Sequence, residues 1–255
     1  MPAIARRAIF VAPFDELADP RLLAELAADS EAAGFDGFFL WDHIVYSAPT
    51  RAVLDPWVAM AAIAMTTERI LTGPMVTPLS RRRPHKLARE AVTLDLLSRG
   101  RLVLGVGLGS DRHGELEPFG EVHEPRAQAQ LLDDGLEQLQ RYWDGAFEPR
   151  PVQRPRIPIW AAATWPNRRP VRRAAGLDGL FPVELPAPAA LAELAGEIAE
   201  LRGAGAGPYE LVVTNGAGTD PQPWIDAGAT WALTGFGPQP KLADVRSAIA
   251  AGPTG

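Results

Sequence analysis

Short apolar runs alternate with longer amphipathic stretches along this chain. The first run covers residues 8–13, AIFVAP. Asp19-Pro20 then opens a helix predicted over 21–33, with Gly34 to end it. Aspartate at an N-cap accepts a free helical N–H, proline at the first position has no N–H to leave unpaired, and glycine tolerates the left-handed turn beyond the helix. The second run, 37–41, is followed by a helix over 55–65. A third run, 70–78, leads to a helix from Pro84 to Ser98, with Gly100 behind it. A fourth run, 101–107, is separated by a long polar loop from a helix over 125–143.

The Pro-rich stretch 148–158 could be a domain linker. It reads better as an extended lead-in to a fifth strand, 157–162, because the alternation resumes beyond it. Helix 169–175, strand 179–183, helix 189–202, strand 209–214, a short helix 221–227, strand 230–234 and helix 240–251 complete the pattern. Apolar strands joined by helical crossovers imply a parallel sheet covered by helices. Eight such units in 255 residues predict a closed (β/α)8 TIM barrel, one compact domain over residues 1–255 with short loops. An open α/β sheet is the alternative.

Composition narrows the function classes. Hydrophobic residues make up 47% and charged residues 22%, as in ordinary globular proteins. A net charge of -6 argues against non-specific nucleic-acid binding, which needs a basic surface. The absence of cysteine excludes disulfides, iron–sulfur clusters and thiolate zinc sites, and fits a cytoplasmic protein. The first residues are too interrupted for a signal peptide, and no apolar run reaches the ~20 residues of a membrane span.

In such a barrel the chemistry belongs just after the strands. That rule selects Trp41, Asp42 and His43 after the second strand, the stretch 73–78 in the third, and Gly107, Leu108, Gly109, Ser110, Asp111 and His113 after the fourth. It also selects Ala162, Ala163, Thr164 and Trp165 after the fifth and Glu184 after the sixth. His43 carries the side chain that titrates near neutrality without help. Asp42 adjoins it, but neighbouring strand residues point to opposite faces, so Asp42 need not orient it. A histidine packed structurally at a strand end remains the plainer reading.

Gly105-Val106-Gly107-Leu108-Gly109 fails the dinucleotide fingerprint, because Ser110 follows and no helix opens at once. These glycines would let a flat ring approach the backbone, or simply form a tight loop. Arg168 and Arg169 before the fifth helix could seat a phosphate, and Arg81, Arg82 and Arg83 share that ambiguity with a solvated basic face. Asp111, His113, Glu115 and His123 match no metal-ligand spacing, and no metal site is assigned. Neither a G-x-S-x-G elbow nor a P-loop occurs.

The stretch 72–107, TGPMVTPLSRRRPHKLAREAVTLDLLSRGRLVLGVG, resembles the luciferase-like monooxygenase superfamily of flavin- and deazaflavin-dependent oxidoreductases. Pro78-Leu79, Leu87-Ala88-Arg89-Glu90, Thr93-Leu94-Asp95, Leu97-Ser98, Gly100-Arg101 and Leu104 to Gly107 carry the likeness. Ala33 to Asp36, Asp42-His43, Pro158 to Ala162 and Asp178-Gly179 support it. The resemblance implies a barrel enzyme with a flavin-type ring at the rim, lying against the end of the third strand. It implies a non-prolyl cis peptide there, for which Pro74-Met75 is the candidate. It places the cofactor against Trp41, Asp42, Pro74 and Met75, with its tail along Gly107, Leu108, Gly109 and Ser110 and along Ala161, Ala162, Ala163 and Thr164. His43 matches a residue near the reactive ring. Ser110 and His113 depart from residues common at their positions in the family.

The loops after the seventh and eighth strands are short. A monooxygenase must shield a peroxyflavin under a lid, whereas hydride transfer needs mainly positioning. Short loops favour hydride transfer with the deazaflavin coenzyme F420 to or from a small organic substrate, with His43 as catalytic proton donor or ring anchor. An FMN-dependent monooxygenase fed by a separate reductase is the alternative, and a flavin-binding barrel without chemistry is a third reading. The resemblance further implies a homodimer, while charge and hydropathy predict no nucleic-acid or membrane partner.

Overall fold

The computed structural model describes residues 5–253. β1 (Arg6–Val11) leads to α1 (Pro20–Ala32), where the Asp19 carboxylate accepts from the N–H of Arg21 at 2.8 Å and of Leu22 at 3.4 Å. β2 (Gly37–Leu40) is followed by α2 (Pro56–Thr66), capped by Asp55. The third predicted run is broken into β3 (Leu71–Pro74) and β4 (Thr77–Pro78), after which come α3 (Pro84–Leu97), β5 (Leu104–Gly107) and α4 (Pro125–Arg141). β6 (Ile159–Thr164), α5 (Arg168–Ala175), β7 (Gly179–Val183), α6 (Pro188–Arg202), β8 (Glu210–Gly216), α7 (Gln222–Asp226), β9 (Trp231–Gly235) and α8 (Leu242–Ala251) complete the order.

All strand pairings in the sheet are parallel, in the order β3-β2-β1-β9-β8-β7-β6-β5-β4. β3 and β4 are two halves of one strand, so the two ends of this sheet meet. The Thr72 N–H donates to the Arg101 carbonyl at 3.0 Å and the Val103 N–H to the Thr72 carbonyl at 2.9 Å, which closes the (β/α)8 barrel. Glycine permits this closure. A Cβ on Gly73 would lie 1.9 Å from the Val103 carbonyl oxygen, and one on Gly105 2.2 Å from that of Pro74.

The strand pleat sorts side chains into two apolar layers. Ile9, Val11, Phe38 and Leu40 point outward beneath the helices. Ala8, Phe10, Phe39, Trp160, Phe181, Trp231 and Leu233 fill the barrel. Phe39, Trp160 and Trp231 pack with ring centroids 5.4–5.8 Å apart, so the interior is a plug of aromatic groups and chemistry is confined to its ends.

Two buried polar residues fasten the floor, at the N-terminal ends of the strands. The Arg101 guanidinium donates to the carbonyls of Ser98, Ile70, Ala64 and Thr67 and to the Thr67 hydroxyl, at 2.7–3.0 Å. The Asp95 carboxylate accepts from the Val152 N–H at 2.6 Å and the Gln153 side-chain amide at 2.7 Å. The Pro-rich stretch is thereby anchored to α3 and runs into β6, as a lead-in rather than a free linker.

Candidate functional site

The strand ends bring the expected segments together. The Met75 N–H donates to the Leu40 carbonyl at 2.7 Å, and the Thr77 hydroxyl to the Asp42 carboxylate at 2.7 Å. A Cβ on Gly107 would meet Val76 at 2.8 Å and Ala162 at 3.6 Å. The loops after β2, β3, β5 and β6 therefore share one mouth. The non-prolyl cis peptide is Met75–Val76, one bond beyond the expected Pro74-Met75. Pro74 still pairs in β3, and the chain turns only after Met75, whose side chain enters the barrel interior.

Residue by residue, the expected positions divide. Trp41 and His43 stand on the mouth side of β2, with ring centroids 5.7 Å apart. Asp42 points the other way, as strand alternation requires. Its buried carboxylate accepts from Trp57 Nε1 at 3.1 Å, from Thr77 and from Arg81 and Arg82 at 2.9–3.0 Å. The pleat also splits β6: Ala161 and Ala163 lie in the outer layer under the helices, while Ala162 packs with the interior. Thr164 ends the strand, half-buried. Leu108 packs outward, and its carbonyl accepts from the Ser80 hydroxyl at 2.7 Å. Gly109 has φ +82, with Pro78 2.8 Å from where its Cβ would stand. Ser110 is exposed and accepts from the Arg112 N–H.

The partner of His43 comes from elsewhere in the sequence. Its Nδ1 lies 2.7 Å from Glu115 Oε2, and the other oxygen accepts from the Ile44 N–H at 2.9 Å. Glu115 is buried, with Arg81 Nη1 3.5 Å from Oε1. An ionised carboxylate can only accept, so Nδ1 carries the proton in this pair, and in a neutral ring Nε2 keeps its lone pair. Around His43 stand Phe14, Tyr46 and His113, with centroids at 5.8, 5.1 and 6.1 Å. Tyr46 stacks on His113 at 3.8 Å, and His113 Nδ1 pairs with the Ser47 hydroxyl at 2.7 Å. Burial holds the His113 imidazole below its ordinary value, and nearby His43 adds to this.

Asp111, His113, Glu115 and His123 do not converge as metal ligands. The Asp111 carboxylate accepts from the N–H groups of Leu116 and Glu117, and Glu115 is committed to His43. Among the described residues no group of these types is placed to hold a metal. Arg168 is engaged by Glu193 and Glu197 and covers Trp165, while Arg173 pairs with Asp133, so both are held by neighbouring helices. A cleft of about 1480 Å³ lies on the flank and floor between Arg6, Asp36, Glu210 and Asp220. None of the mouth residues lines it, and it gathers no histidine and one aromatic side chain, Tyr209. The mouth is the better candidate because acid–base and aromatic groups converge there.

Sequence reasoning missed Phe14, Tyr46 and the role of Glu115. The pairing of residues 43 and 115 has no local signal, because only barrel closure joins their loops.

A family model described as luciferase-like monooxygenase matches residues 8–216. The chain belongs to this family. A phthiodiolone/phenolphthiodiolone dimycocerosates ketoreductase of Mycobacterium sp. (strain JLS) is 37% identical over 152 residues, 51% of this chain and 38% of that protein. The oxygenase component of a flavin-dependent trigonelline monooxygenase of Acinetobacter baylyi is 27% identical over 161 residues, 57% of this chain and 43% of that protein. The luciferase-like chain thus spans less than half the length of these curated relatives. An F420-dependent secondary alcohol dehydrogenase, solved with an F420-acetone adduct, superposes with a TM-score of 0.78 at 17% identity over 96% of each chain. That likeness establishes the shared barrel.

Proposed function

We propose that this luciferase-like barrel is an oxidoreductase that uses the deazaflavin F420 to transfer hydride to or from a small organic substrate. The observation that carries this reading is the His43–Glu115 pair at the mouth, with Nδ1 held by a buried carboxylate and Nε2 unspent. Phe14, Trp41 and Tyr46 surround it with flat apolar faces. Such walls fit a planar ring system, and the glycine-rich turn at Gly107 and Gly109 leaves the backbone open to close approach. Trp41, Pro74, Met75, Gly107, Leu108, Gly109, Ser110, Ala162 and Thr164 would hold the cofactor, Ala161 and Ala163 offering only their backbone. Asp42 acts from behind, by fixing the start of the loop that carries His43.

When bound, a deazaflavin supplies or accepts the hydride. In its Nδ1–H form His43 would take a proton from a substrate hydroxyl through Nε2, and the imidazolium so formed would return that proton in the reverse direction, while Glu115 holds the ring. The connections after β8 and β9 are short, at residues 217–221 and 236–241, so the lid that oxygen chemistry requires would have to come from the loops after β2 and β5. Titration of the purified protein with F420 and with FMN, followed by fluorescence, tests the proposal. Deazaflavin binding is expected. Tight FMN binding without deazaflavin binding would favour an FMN monooxygenase served by a reductase.

A homodimer is part of this reading. α2 is apolar on nearly all sides, and its Val58 and Met65 are each 69% exposed. A helix of that character is normally covered. Sedimentation analysis is expected to give a dimer that Val58→Glu dissociates.

A further inference from the structure

His43 and Glu115 do not stand alone. Behind them the Arg81 side chain is 4% exposed and reaches both buried carboxylates. Its Nη2 donates to Asp42 Oδ1 at 2.9 Å and to the Asp42 carbonyl at 3.2 Å, while Nη1 lies 3.5 Å from Glu115 Oε1. Arg82 adds bonds to both oxygens of Asp42 at 2.9 and 3.0 Å. Two carboxylates and two guanidinium groups cancel in charge, without any contribution from His43. The imidazole therefore does not need to be a cation to balance the cluster, although its carboxylate partner is buried.

We infer that Arg81 is a positioning residue that acts through Glu115: by sharing its charge between Asp42 and Glu115, it fixes the neutral Nδ1–H form of His43 and so presents Nε2 to the mouth. The role assigned to Nε2 rests on the proposed hydride-transfer reading. The charge arrangement itself does not. Arg81 touches neither ring nitrogen of His43. Its influence passes through Glu115, whose Oε1 it faces and whose Oε2 takes the imidazole proton. Loss of the Arg81 charge leaves Glu115 buried with His43 as its nearest cation source, which drives the ring toward imidazolium. Loss of the Asp42 charge acts in the opposite sense. Arg81 then belongs wholly to Glu115, the carboxylate attracts the Nδ1 proton less, and the Nδ1–H hydrogen bond weakens while the ring stays neutral.

Nitrogen NMR of the cofactor-free, full-length protein at pH 7.5 reads this directly, because the chain has only four histidines and His43→Asn identifies the signal. The wild-type ring is expected to show a protonated Nδ1 and an unprotonated Nε2. Arg81→Met should protonate both nitrogens, Arg81→Lys should restore the wild-type pattern in part, and Asp42→Asn should keep the ring neutral and move the Nδ1–H proton resonance upfield as its bond to Glu115 weakens. Asp42→Asn changes a charge and no volume, so it carries the test if Arg81→Met does not fold. A wild-type pattern retained in Arg81→Met, or an unmoved Nδ1–H resonance in Asp42→Asn, would overturn the inference and leave Arg81 a structural bolt. A wild-type ring already protonated on Nε2 would overturn it as well. Neither result touches the cofactor reading, which fails instead if neither F420 nor FMN binds.

Discussion

Two buried arginines mark the two ends of this barrel, and they are satisfied in opposite ways. At the floor, Arg101 donates to four backbone carbonyls and one hydroxyl, all neutral. At the mouth, Arg81 faces two carboxylates. Neutral acceptors leave the Arg101 charge uncompensated, and burial lowers its pKa from the ordinary arginine value. What Arg101 provides is geometry: it ties the end of α2 and the turn before β3 to the turn before β5. Arg81 takes part in a balanced charge cluster whose last member, His43, opens on the mouth. A buried arginine on carbonyls holds a fold together, whereas one on carboxylates sets the electrostatics of whatever group shares them.

The floor gives the largest expected effect. Arg101→Met strands several buried carbonyls, each loss costing on the order of 1–3 kcal/mol, so destabilisation of about 4 kcal/mol or more is expected. Thermal unfolding measures it. A variant that melts within a degree or two of wild type would refute the staple role. Its His43 ring nitrogens should keep the wild-type pattern, which separates floor from mouth.

At the mouth, His43→Ala should cost turnover rather than stability. A positioned acid–base group contributes about 10²–10⁴-fold, so a loss of at least about a hundredfold in kcat is expected, with the melting temperature nearly unchanged. Glu115→Gln should fall between wild type and His43→Ala, because the ring remains but its orientation and tautomer are no longer imposed. Steady-state kinetics on whichever substrate the F420 form reduces would check both.

Between the two ends, Gly105 marks where the barrel closes. An alanine there would place its Cβ 2.2 Å from the Pro74 carbonyl oxygen and 2.8 Å from Met75 Sδ. The backbone of β3 cannot give way without opening the closure, so about 1–3 kcal/mol of destabilisation is expected. Met75 adjoins the proposed ring position, so cofactor affinity should fall with it. Gly196, with nothing within 4 Å of its would-be Cβ, is the control: Gly196→Ala should be neutral or slightly stabilising.

The sequence carried the scaffold better than either end of the barrel. Asp19 and Asp55 announce their helices because capping is local. The position of Asp42 behind the strand follows from alternation alone. Alternation also divides Ala161 and Ala163 from Ala162, a distinction lost when four consecutive residues are taken as one loop. The Arg81, Arg82 and Arg83 run reads as a solvated face until Asp42, some 40 positions earlier, is brought beneath it by barrel closure. Glu115 is the extreme case. Its four-residue neighbourhood suggests a failed metal motif, and its partner lies 72 positions away. Periodicity predicts which face a residue occupies, but long loops have no period, and His43 and Glu115 both stand on long loops.

The smallest effect separates the ends by pH. An arginine does not titrate between pH 7.5 and pH 5.5, so the Arg101 staple should not respond. His113 should, because burial and the neighbouring His43 disfavour its cation in the folded chain, with Arg112 acting in the same direction and Glu115 opposing. The unfolded chain therefore binds this proton more readily. The stability that follows is fully present above the ordinary imidazole value of 6.5 and drains away as pH falls through it toward the lower folded value. His113→Phe keeps a ring against Tyr46 and removes the titration, so wild type should lose melting temperature faster than the variant between pH 7.5 and pH 5.5. Equal losses would mean that the stack on Tyr46 and the Ser47 hydrogen bond accept the imidazolium without penalty.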